Sequence, residues 1–249
     1  MSSLRYQARQ FVRRAVYRQP VPSKLNEAVN FTKQAIFIAV PKTGTTSIRD
    51  QMTEPGPSMI PHPHLTIRQV RDSLYPFLLS QALDQNKTFP TDPENVPSDE
   101  EIRDEAAEIF RTFFKFASVR NPWARTVSLY KRREGVQSDQ DMSFEQFCEQ
   151  LRYASDTCRF PTRLTNQLDW LTDENGEVLV DYVIKLEDQE TAVREINERT
   201  DGRLALESVR LNSNPNSTAD SYRDMYSPTT RERVAEVFRR DIEFFGYEF

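Results

Sequence analysis

Three short stretches carry the residues best suited to chemistry. In the first, Pro41-Lys-Thr-Gly-Thr-Thr-Ser47, an apolar run from Ile36 to Val40 gives way to a glycine and three successive hydroxyl residues. Gly44 frees the backbone to turn. The amides and hydroxyls of Thr45, Thr46 and Ser47 then open a helical pattern, where unpaired N–H groups and the helix dipole favour an anion. Lys42 adds a positive charge beside the same loop, so the stretch suits a phosphate or sulfate; the bland alternative is that the hydroxyls only cap the helix. The second stretch, Arg120-Asn-Pro-Trp123, also follows an apolar run, with Asn121 suited to cap a helix and Pro122 to its first position. The third, Met59-Ile-Pro-His-Pro-His64, holds the chain's two histidines on a segment kept extended by its prolines.

The elements that must position these residues follow from pattern. Ile36 to Val40 reads as a strand buried on both faces, and Phe113 to Val119 and Val178 to Leu186 read as two more. Helices are predicted from Thr45 to Met52, from Thr66 through Leu83 with a kink or restart at Pro76, from about Asp99 to Arg111 behind the capping box Ser98-Asp-Glu-Glu101, and from Pro122 to about Arg133. Further helices are predicted from Ser143 to about Tyr153, from about Gln189 to Arg199, and as one last helix that opens at Ser227-Pro228, carries Val234, Val237, Phe238, Ile242 and Phe245 on one face, and ends at Gly246. Asp173-Glu-Asn-Gly176 reads as a turn. Strands alternating with helices predict a single α/β domain of P-loop-like character, with a central, mainly parallel sheet flanked by helices, over residues 34–249. Residues 1–33 read as a basic N-terminal extension. Its Arg5, Arg9, Arg13, Arg14 and Arg18 would lie on one side of a helix, either solvated or set against a membrane surface or a partner.

Composition narrows the function. A net charge of −5 argues against a general nucleic-acid binder, so any anion site must be locally basic. No apolar run is long enough to span a membrane, and the arginine-rich start lacks the apolar core of a secretory signal, so a cytoplasmic protein is expected. Cys148 and Cys158 are too few for a disulfide framework, though one bond between them is an open reading, and two histidines form no zinc cluster.

The loop is not the Gly-x-x-x-x-Gly-Lys-Ser/Thr loop of nucleoside triphosphatases: Lys42 precedes the glycine, Thr45 stands where the lysine would be, and the first glycine is missing. Instead, Pro41-Lys-Thr-Gly-Thr-Thr-Ser47 resembles the 5′-phosphosulfate loop of sulfotransferases that use 3′-phosphoadenosine 5′-phosphosulfate (PAPS), especially the carbohydrate sulfotransferases and their soluble bacterial relatives. Val119-Arg-Asn-Pro-Trp-Ala-Arg-Thr-Val-Ser-Leu-Tyr130 resembles that family's 3′-phosphate motif, and Asp241-Ile-Glu-Phe-Phe-Gly-Tyr247 is similar to the C-terminus of bacterial members.

The resemblance implies transfer of the sulfuryl group of PAPS to an acceptor hydroxyl, on a saccharide, leaving 3′-phosphoadenosine 5′-phosphate (PAP) and needing no metal. Lys42, Thr43, Gly44, Thr45, Thr46 and Ser47 would hold the 5′-phosphosulfate, with Lys42 also neutralising charge on the leaving oxygen, and Arg120 and Ser128 would hold the 3′-phosphate. Ser128 would lie roughly 10 Å along its helix from the cap, so one phosphate reaches both only along the helix flank. Arg125 is a further neighbour. The base should titrate near neutrality, which points to His64, with His62 assisting as in the paired histidines of uronosyl 2-O-sulfotransferases. Arg159, Arg163, Asn166, Gln167 and Trp170 read either as a polar acceptor cleft or as a solvated helix. Two alternatives stand beside this: a P-loop kinase, with Asp181 after Val178-Leu-Val as its Mg²⁺-supporting acid, and a binder of phosphoadenosine nucleotides without turnover.

Overall fold

A computed structural model describes residues 22–83, 97–131, 142–151, 166–208 and 222–249. Four strands form one sheet in chain order: β1 (Val29–Asn30), β2 (Ala35–Ile38), β3 (Phe114–Val119) and β4 (Tyr182–Lys185). β1 runs antiparallel to β2, whereas β2, β3 and β4 are mutually parallel. Among the described residues, α1 (Thr46–Met52), α2 (Ile67–Leu83), α3 (Asp99–Thr112), α4 (Pro122–Lys131), α5 (Phe144–Gln150), α6 (Gln189–Arg199), α7 (Pro228–Val237) and α8 (Arg239–Phe245) cover the sheet. This is the α/β architecture that alternating strands and helices predict.

The two-residue period of a strand explains how both faces are filled. On β2, Ile36 and Ile38 enter one cluster with Val70 and Leu74 of α2 and Trp123, Ala124 and Val127 of α4. Ala35 and Phe37 enter the other, with Ile48 and Met52 of α1 and Ala192, Val193 and Ile196 of α6. The short β1 falls within the stretch read as the basic extension, and Leu25, Ala28 and Val29 beside it are core residues. The basic residues from Arg5 to Arg18 lie outside the described residues.

One open expectation is decided and two change. The helix that starts near Thr66 runs through Pro76 without restarting. The strand predicted from Val178 is only Tyr182–Lys185, because the earlier residues turn back on the preceding segment: Val178 bridges Thr172, and Leu179 N–H donates to Leu171 C=O at 2.9 Å. The last helix is broken at Phe238, whose φ of −108° and ψ of 28° leave the helical region. The apolar stripe predicted there is continuous, so periodicity gave no sign of the break. The turn at Phe238 sets Asp241 inward, where its Oδ2 accepts from Gln167 N–H at 2.8 Å and its Oδ1 from Leu168 N–H at 2.9 Å.

Asp241 is fully buried. Burial pushes its carboxyl up to about 6, against the amides of Gln167 and Leu168 and the nearby charge of Arg125, which favour the ionised form. A folded-state value above the unfolded one means that Asp241 favours the fold most below about pH 4 and loses that contribution as pH rises to about 6. Relative to Asp241→Asn, wild-type stability measured by urea unfolding should therefore fall by about 2–3 kcal/mol across this window and stay flat above it. Parallel stability curves would show that the carboxyl is not desolvated.

Candidate functional site

The site forms where two adjacent parallel strands end together. β2 and β3 pair in register, Phe37 opposite Phe116 and Ile38 opposite Ala117, so the loops that leave them emerge at one edge. The helix after β2 packs on the Phe37 face and the helix after β3 on the opposite face. Divergence of this kind opens a crevice at the carboxyl ends of the strands, where open α/β sheets take their ligands.

The loop after β2 is shaped by two left-handed residues, Lys42 at φ 70° and Gly44 at φ 73°. Lys42 adopts this conformation despite its side chain, a cost of about 1–2 kcal/mol that the surrounding contacts must offset. One of these contacts is Thr43, which is fully buried and donates its hydroxyl to Val40 C=O at 2.8 Å. Its oxygen is then left to accept from Ser118 Oγ of β3 at 2.6 Å. The Thr43 side chain thus ties the loop to β3, and only its amide can serve an anion. Another is Arg125 of α4, which is buried and donates Nε–H to Pro41 C=O at 3.1 Å. α1 begins at Thr46; Thr45 stands at its cap but makes no side-chain capping bond.

At the end of β3, Asn121 caps α4 as its sequence context predicts, its Oδ1 accepting from Trp123 N–H at 3.0 Å and Ala124 N–H at 3.3 Å. α4 then runs unbroken past Ser128, which is partly exposed about two turns beyond the cap. Arg120 precedes the cap. Burial lowers the pKa of its guanidinium, opposed by the charge of Glu187, and the group makes no side-chain hydrogen bond to another described residue. A desolvated cation of this kind gains most from an anionic partner.

The two imidazoles lie at the same edge. His64 Nδ1 is 2.6 Å from Ala39 C=O, just past the end of β2. A carbonyl oxygen only accepts, so Nδ1 carries the proton and Nε2 is the basic nitrogen of the neutral ring. His62 is exposed, and its Nδ1 lies 2.9 Å from His64 C=O and 3.2 Å from His64 N, so it braces the backbone that carries His64.

Other expectations are corrected. Asn166, Gln167 and Trp170 line neither a cleft nor a solvated helix but are buried, with Gln167 bonded to the backbone of Arg120 and to Asp241. Arg159 and Arg163 lie outside the described residues. Asp181 precedes β4, at the edge of the sheet opposite the loop, where its Oδ2 accepts Lys115 N–H at 2.7 Å; a Mg²⁺-supporting acid would have to stand at the other end of its strand. Cys148 is a free, buried thiol whose pKa burial pushes up to about 12, and Cys158 lies outside the described residues. The supporting contacts of Gln167, Asp241 and Glu187 were missed at the sequence level. The one signal that pointed to any of them was the C-terminal motif containing Asp241.

A model of the sulfotransferase family matches residues 28–248, nearly the whole chain, and the protein belongs to that family. It is therefore a sulfotransferase, of a family that generally draws its sulfuryl group from PAPS. Comparison with curated proteins and with solved structures gave no match. Among the described residues no helix is long and apolar enough to cross a membrane.

Gly44 offers a direct probe of the loop. A Cβ there would lie 2.5 Å from Leu186 Cδ1 and occupy a left-handed backbone. Gly44→Ala should cost about 1–2 kcal/mol in urea unfolding. A neutral effect would mean that the loop relaxes freely out of this conformation.

Proposed function

We propose that the enzyme transfers the sulfuryl group of PAPS to a hydroxyl of a carbohydrate acceptor, with His64 as base. The observation that carries this reading is convergence at one sheet edge: the Lys42–Ser47 loop after β2, Arg120 after β3, and His64 held to Ala39 just past the end of β2. The amides of residues 43 to 47 and the hydroxyls of Thr45, Thr46 and Ser47 would receive the 5′-phosphosulfate, and Arg120 and Ser128 the 3′-phosphate. His64 Nε2 would take the proton of the acceptor hydroxyl as its oxygen bonds to sulfur. The bond from sulfur to the bridging oxygen breaks in line, and Lys42 stabilises the charge that collects there, releasing PAP and a sulfate ester. His62 assists by fixing the backbone of His64.

The carbohydrate assignment rests on the likeness of the loop and the 3′-phosphate motif to carbohydrate sulfotransferases; an acceptor-library screen with labelled donor tests it. A kinase reading is disfavoured by the position of Asp181 at the far edge of the sheet. Turnover in that screen also separates the enzyme from a non-catalytic nucleotide binder. The catalytic domain is taken as residues 34–249 together with β1 and the core residues Leu25 and Ala28 that precede it, with the basic stretch from Arg5 to Arg18 as an extension.

Two measurements test the residue roles. His64→Ala should lower turnover by roughly 10²- to 10⁴-fold while leaving donor affinity nearly unchanged; a variant within a few-fold of wild type would remove His64 as base. PAP at about 100 times its dissociation constant should add roughly 2.7 kcal/mol to stability and raise the melting point by about 5–11 °C, with AMP and ATP giving much less. Arg120→Ala should erase that difference and Ser128→Ala should reduce it. Equal stabilisation by ATP and PAP would overturn the assignment of Arg120 and Ser128.

A further inference from the structure

Arg120 is held by a device that uses none of its side chain. Gln167 is fully buried, and its Oε1 accepts Arg120 N–H at 2.8 Å while its Nε2 donates to Arg120 C=O at 2.8 Å. The amide therefore pairs with both polar groups of one residue, as a neighbouring strand would, at the point where β3 has ended. Its orientation is forced, because an N–H can only donate and a C=O can only accept. The second proton on Nε2 goes to Asp241 Oδ2 at 3.2 Å, and the same carboxylate receives the backbone N–H groups of Gln167 and Leu168 at 2.8 and 2.9 Å. Asn166 Oδ1 accepts Asp241 N–H at 3.3 Å, which closes the contact from the other side.

The next residue is gripped in the same way. Asn121 N–H donates to Glu187 Oε1 at 2.8 Å, Asn121 Nδ2 donates to Glu248 C=O at 2.7 Å, and Tyr247 OH reaches Glu187 Oε2 at 3.4 Å. Arg120 and Asn121 are thus fixed from the 166–168 segment and from the end of the chain, leaving the Arg120 guanidinium as the part of this junction that is not engaged in hydrogen bonds to described residues.

We propose that Gln167 and Asp241 are positioning residues that set the enzyme's preference for a 3′-phosphorylated donor. They do so by holding the Arg120 backbone so that its guanidinium is presented to the 3′-phosphate before the donor arrives. The proposal rests on the assignment of Arg120 to that phosphate. The physical reason is preorganisation: a bidentate arginine contact depends on direction, and an arginine whose backbone can swing must spend binding energy on becoming ordered. Ligands that share the adenosine 5′-phosphate but lack the 3′-phosphate do not draw on this arrangement, so general loosening of the fold would weaken both kinds of ligand alike, whereas loss of positioning changes their ratio.

The test is calorimetric titration of adenosine 3′,5′-bisphosphate and of AMP into wild type, Gln167→Met, Asp241→Asn and Arg120→Ala. Gln167→Met keeps the volume and removes both bonds to Arg120. It should cut the ratio of bisphosphate to AMP affinity by roughly 10- to 100-fold with AMP binding within about 3-fold of wild type. Asp241→Asn, which keeps the shape of the carboxylate, should move the ratio in the same direction by less. If Gln167→Met fails to fold by circular dichroism, Asp241→Asn decides the question by the same ratio. A wild type with no preference for the bisphosphate would strike down the role of Arg120 and the proposal with it. A wild-type preference that Arg120→Ala erases, but that the folded Gln167 and Asp241 variants keep, would overturn the positioning role alone.

Discussion

Everything at the candidate site depends on two parallel strands that stop at the same edge of the sheet and send their chains to opposite faces. The registration of β2 with β3 brings the loop around Lys42 next to the junction at Arg120, although 78 residues separate them in sequence (120 − 42). The two junctions are also bonded to each other. Ser118 of β3 donates to Thr43 in the loop, and Arg125 of α4 donates to Pro41. A shift of one strand relative to the other would break these cross-links together, so the spacing of the Lys42 loop and Arg120 follows from the hydrogen-bond ladder of the sheet.

Charge is arranged on the same plan. The protein is acidic overall, with a net charge of −5, yet Arg120 and Arg125 are largely removed from water beside this edge. Arg125 is engaged with a backbone carbonyl and with the charge of Asp241, whereas the largest influence that favours the charge of Arg120 is Glu187, which is itself occupied by Asn121 and Tyr247. Of these two desolvated cations, Arg125 serves the fold, whereas the Arg120 guanidinium makes no hydrogen bond to a described residue. Only the environment separates their roles, since by residue type they are the same.

How much of this could be read in the sequence depended on how local the physics was. The cap at Asn121 with Pro122 after it, the capping box at Ser98 and the apolar run that forms β2 are decided within a few residues; the caps are found where they were expected and the strand within two residues of its expected bounds. Gln167 was misread because a buried glutamine and an exposed one look alike in sequence, and the partners that distinguish them lie 47 and 74 residues away. The break at Phe238 was hidden for a related reason: the apolar stripe continues across it, and the contacts that go with it, from Asp241 to Gln167 and Leu168, lie 74 and 73 residues away. The strand near residue 180 was drawn too long because Val178 and Leu179 have strand-like side chains, yet their partners are across the Asp173–Gly176 turn. At the candidate site the loop, the Arg120 junction and the histidine segment were legible as residue types in order. Their supporting shell was not.

The hydrogen bond from Asn121 to Glu248 has a consequence for the order in which the molecule can mature. A span of 127 residues must be closed before that bond can form, and spans of 74 and 60 residues before those of Asp241 with Gln167 and of Tyr247 with Glu187, whereas each capping box needs only four consecutive residues. Closing long loops costs entropy that is recovered only when the last contacts are made. During synthesis the chain can form its local helices well before residues 241–248 leave the ribosome, but the bonds that hold Asn121 and the Gln167 side chain from that segment cannot form until they do. The candidate site is therefore completed later in synthesis than the helices around it, so a nascent chain holds Arg120 in a looser frame for as long as residues 241–248 are undocked.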